Sequence, residues 1–272
     1  MPAAGKKAFF SCSVGENRIQ WRQLKREKGG ICVRRLPALC LALCLALLLL
    51  PGLCGAAPAA PVFRPANEAE AFSKSLDLFC QCAFHPEYGA PADQGKLNRW
   101  EGEITLWAGG NPEPEDLRAL DDFLRELGEK VPGLPPLRRV REDSKAALRI
   151  WFIPQRLMKA YLEGYVEENW GFFKYDTKGS AIVSARVGIA SDVTEQEERV
   201  HLLKEELVGA LGLPGDHEAY RDSILYDGWT TVQTLSDVDW RMLNLLYDPA
   251  LRPGMTEAQA REALLSSRPA LP

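Results

Sequence analysis

Between Pro114 and Lys130, apolar residues recur at Leu117, Leu120, Phe123, Leu124 and Leu127. That three- and four-residue spacing predicts a helix with one buried stripe. Acidic residues crowd its first turn, where they suit the helix dipole, and Pro132 to Pro136 ends it. Thr194 to Leu213 reads as a longer helix whose Val200, Leu203, Leu207 and Leu211 face a core. Shorter helices are expected over Asn67 to Phe84, with Ala71, Leu76 and Phe79 as its apolar points, and over Pro154 to Tyr165. Two more are expected near the end. Ser236 to Tyr247 opens with a capping box formed by Ser236 and Asp239, and Thr256 to Ser266 is capped by Thr256. Strands are expected where the period falls to two or an apolar run is short. These are Trp100 to Trp107, with Ile104 and Leu106 on one side, Leu148 to Ile153, and the Val/Ile-rich Ser180 to Ser191. Gly89 to Gly95 reads as a loop. The order of elements predicts one α+β domain over 67–272.

The first residues are of a different kind. Arg34 and Arg35 precede an apolar run from Leu36 to Leu53, and small residues follow at Gly55, Ala56 and Ala57. A basic start, an apolar stretch and small residues at a cut are the pattern of a secretory signal peptide, here 33–56, with cleavage after Ala56. The alternative is an uncleaved anchor helix over residues 36–53 in the inner membrane. Lipidation at Cys54 is not expected, because Leu53 before it is too bulky. Residues 1–32 lie upstream of a complete signal and read as a spurious extension, with Val33 as the natural start. Residues 57–66 form a Pro/Ala-rich extended leader. Periplasmic or secreted localisation follows as the expectation.

Charge sharpens the division. Residues 1–56 carry nine of the 33 Lys/Arg and two of the 37 Asp/Glu, which leaves 24 basic against 35 acidic residues, a formal charge of −11. An acidic domain of this kind is not expected to bind nucleic acid, and it would meet a membrane only through an uncleaved signal. Five of the seven cysteines fall before Ala57, so Cys80 and Cys82 cannot make a disulfide scaffold. They are too close for a relaxed disulfide with each other, and are expected as two helix-side thiols, or as one buried and one exposed thiol.

Three separated motifs resemble those of matrixin-type zinc peptidases, in the same order. Glu205 to Leu213 is similar to H-E-x-G-H-A-L-G-L, Ser223-Ile224-Leu225-Tyr226 to the S-I-M-Y turn beneath the zinc, and Leu235-Ser236-x-x-Asp239 to the L-S-x-x-D closing helix. The chain also resembles a family of uncharacterised bacterial secreted proteins, a domain of unknown function with a zincin-like fold. That likeness rests on Trp100-Glu101, on Glu-Glu-x-x-x-x-Leu-Gly-Leu followed by Asp216, on Ser223 to Asp227, and on Leu246 to Met255. The resemblance implies a zincin-like α+β fold: a mixed sheet packed on a central motif-bearing helix, with a helical C-terminal part.

The departures from the peptidase pattern bear on chemistry. Glu206 stands at the catalytic base and Gly212 at the turn glycine, but the three zinc-ligand positions hold Glu205, Gly209 and Gly215. Zinc in a catalytic site wants three side-chain ligands and an open position for water, and glycine supplies none. No cofactor is therefore expected, and Glu206 is a relic base. The alternative is a shifted zinc site of His201, Glu205 and Asp216 or His217, with Glu206 as base of a metal-dependent hydrolase. Against it, His201 and Glu205 read as a surface ion pair one turn apart, and Asp216 as a loop cap. Glu205, Gly209, Gly212, Asp216 and Tyr226 are the candidate cleft residues, with Trp229 beside Tyr226.

Three functions are compatible with the sequence. One is a catalytically silent module that binds a peptide segment or envelope component in a relic cleft. The second is the unusual metallohydrolase. The third is a purely structural protein, which a space filled by packed side chains near Glu205, Gly209 and Gly215 would favour.

Overall fold

The computed structural model describes residues 60–86 and 95–267. The expected signal peptide and the upstream extension lie outside the described residues. Helix α1 (Glu68–Phe84) is capped by Asn67, whose side chain accepts from the Glu70 amide. Strand β1 (Ile104–Gly110) begins four residues later than the sequence pattern predicts, because Trp100 leaves the sheet to pack on the motif helix. Helix α2 (Pro114–Lys130) buries Leu120, Phe123 and Leu127, the expected stripe. Then come β2 (Leu137–Arg139), β3 (Leu148–Ile153) and the single-turn helix α3 (Met158–Tyr161), preceded by a 3-10 turn at Gln155–Leu157. The helix expected over Pro154 to Tyr165 is thus reduced to these two turns. Pro154 fixes an extended entry, and Gly164 lies at positive φ.

A strand the sequence reading passed over, β4 (Gly171–Lys178), pairs antiparallel with β5 (Ala181–Ala190). Gly179 and Ser180 join them with φ of 59° and 67°. Two positive φ values in a two-residue loop match the right-handed twist of a hairpin. The sheet order is β2-β1-β3-β5-β4, parallel except for β4, so β4 is a free edge.

The motif helix α4 (Gln196–Leu211) lies against β4, β5 and α2. From His201 to Leu211 every residue is buried, more than the single stripe expected. The C-terminal part is helical: α5 (Asp237–Leu246) and α6 (Glu257–Ser266) both open with the predicted caps and pack against α1. No helix among the described residues is long and apolar enough to cross a membrane. The architecture is mixed α+β, with one five-stranded mixed sheet.

Candidate functional site

Helix α4 ends at Leu211, two residues before the expected Leu213, because Gly212 caps it, and its last carbonyls are satisfied by side chains from far along the chain. Trp100 donates its indole N–H to the Ala210 carbonyl at 3.0 Å, and the Tyr247 hydroxyl donates to the Leu211 carbonyl at 2.8 Å. Helix-terminal carbonyls otherwise lack partners, so these two contacts complete a buried helix end. Gly212 follows with φ 122°, and a Cβ there would lie 2.4 Å from the Asn98 carbonyl oxygen. Glycine is required twice over, by conformation and by space.

The polar side chains of α4 are inside the protein. Glu198, His201, Lys204, Glu205 and Glu206 are all buried. His201 was expected on the surface. Instead the segment after Tyr226 covers it: Nδ1 lies 2.6 Å from the Val232 carbonyl, and the ring meets Trp229 edge to face at 5.9 Å. A carbonyl only accepts, so Nδ1 carries a proton. Nε2 then faces Glu205 Oε2 at 3.4 Å. Lys204 donates to the Gln233 carbonyl at 2.7 Å, and burial lowers its pKa. Glu206 lies under the start of β4, where a Cβ on Gly171 would sit 2.3 Å from its Oε1. The Trp170 ring meets Trp229 at 5.4 Å. His201, Glu205, Glu206, Gly171 and the two tryptophans therefore gather at one end of the edge strand.

Gly209 and Gly215 are both closed by packing. A Cβ on Gly209 would come within 2.4 to 2.8 Å of three carbons of the Phe173 ring, which descends from β4 onto the helix. A Cβ on Gly215 would lie 2.3 Å from the His85 carbonyl oxygen at the end of α1. The Gly215 amide donates to the Cys82 carbonyl, and the Asp216 carbonyl accepts from Gln81. Asp216 thus sits on the last turn of α1. Cys80 and Cys82 are buried and unbridged, and burial pushes both thiols up, Cys80 to about 11.

His217 belongs to another network. Its Nδ1 accepts from the Ala219 amide, so its proton is on Nε2 and is donated to Ser223 Oγ at 3.0 Å. Ser223 in turn donates to Asp239 Oδ1. The order is His, Ser, Asp with the serine in the middle. In a nucleophilic triad the histidine stands between serine and carboxylate and takes the serine proton. Here the hydroxyl proton is already committed to the carboxylate and all three groups are buried, so the arrangement is a clamp. Asp239 Oδ2 also accepts from the Ile224 amide at 3.0 Å and from Ser236 N and Oγ at 2.7 and 2.8 Å. Burial pushes the Asp239 carboxyl up, and these hydrogen bonds pull it partly back. For His217, burial lowers the pKa to about 4.

The candidate residues therefore divide. His201, Glu205 and Glu206 come together under β4, with Gly209 one turn on beneath Phe173. Asp216 and His217 do not join them, because both His217 nitrogens are engaged elsewhere and Asp216 lies on α1. Among the described residues, no three His, Cys, Asp or Glu side chains form a group able to hold a metal ion. Tyr226 packs its ring over Gly228, where a Cβ would lie 2.4 Å away. Gly171, Phe173 and Trp170 were missed. The signal for them was present: Phe173, Tyr175 and Thr177 alternate with Phe172, Lys174 and Asp176 ahead of a Gly-Ser turn.

No curated protein matches the chain. The family described as Protein of unknown function (DUF2927) matches residues 73–266, a span that holds the edge strand, the motif helix and the Asp239 clamp. That match covers well over half of the sequence, and the chain belongs to the DUF2927 family.

Proposed function

We propose that this chain is an exported zincin-like domain that does not act as a zinc peptidase, and that it binds an extended peptide segment of a cell-envelope component along the free edge of β4. The observation that carries the reading is the Phe173 ring seated on Gly209. An imidazole at that position would be the second zinc ligand. Its space is taken by an aromatic side chain from the strand above, and the backbone at His85 closes the third position. Glu206, left without a metal-bound water of lowered pKa, has no nucleophile to activate in the peptidase manner. The zincin-like reading is supported by the placement of the motif helix under a mixed sheet and by the Asp239 clamp joining two of the three motifs. Export is supported by the residue pattern before Ala57.

A filled notch also favours a structural protein without a cleft function. The edge of β4 favours binding. Eight residues pair on one side only, and an added strand needs nothing but backbone groups there. Lys174, Asp176 and Lys178 on this strand discourage self-pairing between copies, as charges on natural edges do. Two measurements test the proposal. The purified protein is expected to hold no stoichiometric zinc after mild dialysis. Amide exchange over 171–178 is expected to slow when peptides from a digest of envelope proteins are added. About one zinc per chain, lost on His201→Ala together with hydrolytic activity, would overturn the first part. Unchanged exchange along β4 would overturn the second and leave the structural role.

A further inference from the structure

The face of the sheet opposite α2 and α4 carries side chains that, Lys174 apart, none of the chemistry above uses. Strand register sets Trp107, Arg149, Arg186 and Lys174 side by side in one row across β1, β3, β5 and β4. With strands about 4.8 Å apart, the row is about 14 Å long. The next row holds Gly109, Trp151, Gly188 and Phe172. The turn around α3 closes over its far half, where a Cβ on Gly188 would lie 2.3 Å from Leu162 and 2.9 Å from the Met158 sulfur. The result is a ledge: a floor of one indole and three cations, and a wall of Trp151 and Tyr161.

The aromatic groups run in a chain of edge and tilted contacts along the ledge. Trp107 lies down along its own strand, since a Cβ on Gly109 would be 2.1 Å from its ring. Trp107 meets Trp151 at 5.9 Å and 67°, Trp151 meets Tyr161 at 5.8 Å and 53°, and Tyr161 is 47% exposed. The cations are loosely held. Arg149 donates Nε to the Asp143 carbonyl and pairs with no carboxylate among the described residues. Arg186 is 3.8 Å from Asp176, and Lys174 is 3.4 Å from Glu163, long contacts between half-exposed cations and exposed carboxylates and therefore weak.

We propose that this ledge is a binding site for an acidic saccharide, a carboxylate-bearing sugar chain with rings on Trp107 and Trp151 and carboxylates on Arg149 and Arg186. Guanidinium forks match planar carboxylates, and a flat indole covers the apolar face of a sugar ring. An extended peptide is not the occupant, because β1, β3 and β5 are paired on both sides and offer no free backbone row. A nucleic acid is disfavoured because three cations on a domain whose formal charge outside residues 1–56 is −11 make too weak a positive field for a polyphosphate.

The test titrates tetragalacturonate into the purified protein, followed by tryptophan fluorescence and calorimetry. Saturable one-site binding is expected, weakened several-fold on going from low to physiological salt. Arg149→Gln is expected to weaken it about tenfold, the loss of one charge-assisted hydrogen bond. Trp107→Leu is expected to weaken it and abolish part of the fluorescence change, while Arg125→Gln, on the exposed side of α2, leaves it unchanged. Melting temperatures separate loss of binding from loss of fold. Arg186→Gln, a half-exposed position, serves if Trp107→Leu does not fold. No binding of tetragalacturonate, equal binding of neutral galactotetraose, or tighter binding of short single-stranded DNA would each overturn the proposal.

Discussion

Replacing Gly209 by alanine tests directly whether packing against Phe173 is what requires glycine there. Away from any neighbour, Gly→Ala in a helix interior stabilises by about 1 kcal/mol through backbone entropy. Here the new methyl would sit 2.4, 2.7 and 2.8 Å from Cε1, Cζ and Cδ1 of Phe173, against a contact optimum of about 3.5–4.0 Å between carbons. Phe173 is half-buried, and it is stacked on Tyr175 at 6.2 Å and 23°, so its ring cannot retreat without disturbing the edge strand. Overpacking of this kind costs roughly 1–3 kcal/mol, which outweighs the propensity gain at the middle of that range. Gly209→Ala is therefore expected to destabilise by about 1 kcal/mol in urea unfolding.

The sign should reverse when the ring is removed. Phe173→Ala alone loses part of the burial of a phenyl group, roughly 1–2 kcal/mol. In that background the methyl has space, and Gly209→Ala should stabilise by about 0.5–1 kcal/mol. The cycle thus predicts a coupling of about 1.5–2 kcal/mol between residues 36 positions apart, well within the range for side chains in contact. Gly209→Ala stabilising both backgrounds equally would refute the reasoning, because the glycine would then have nothing to do with Phe173.

Three further outcomes are expected. His217 is held neutral by burial, with a pKa of about 4 against 6.5 unperturbed; the unfolded chain takes up the proton first, so stability is intact above pH 6.5 and falls by about 1.4 kcal/mol per unit towards pH 4. His217→Gln should flatten that slope in unfolding measured from pH 7 to 4, and unchanged slopes would show that His217 is not the group responsible. Asp239→Asn leaves too few acceptors for Ser223, Ile224 and Ser236, and should cost about 2–3 kcal/mol, checked by the same unfolding assay; a loss below about 0.5 kcal/mol would contradict the clamp. Trp100→Phe removes the donor to the buried Ala210 carbonyl and should cost about 1–3 kcal/mol, visible as a lowered melting temperature with an unchanged far-ultraviolet spectrum.

Much of the fold was legible because most elements follow one period. The α2 stripe, the Thr256 cap and the Ser236/Asp239 box are local features, and they stand where the residues put them. The edge strand was overlooked although it alternates, because its two faces are both aromatic near Gly171. A Gly-Ser turn had to be weighed together with the next strand to expose the hairpin. The burial of His201 and Glu206 was not readable at all. A lone His/Glu pair at four-residue spacing fits a surface, and only the 229–233 segment and β4, brought over the helix by tertiary contacts, take it from water. The separation of Asp216 and His217 from His201 has the same origin. Neighbourhood in sequence put them within reach, while the hydrogen bonds of Gly215 to α1 and of His217 to Ser223 carried each elsewhere.

The three motifs that suggested a peptidase-like architecture are held together by contacts that require no metal. Asp239, from the closing helix, receives both its own cap at Ser236 and the serine and first amide of the Ser223 turn. That turn pairs back on His217, with the His217 amide donating to Leu225 O and the Asp227 amide to His217 O. The end of the motif helix is in turn fixed by Trp100 and Tyr247. Each contact satisfies a buried polar group that would otherwise cost roughly 1–3 kcal/mol. A scaffold stabilised this way accommodates glycine at 209 and 215, where the Phe173 ring and the His85 carbonyl leave no room for a side chain. Gly209 is the position at which the edge strand approaches the motif helix, and Gly215 the position at which the loop after that helix meets the α1 backbone.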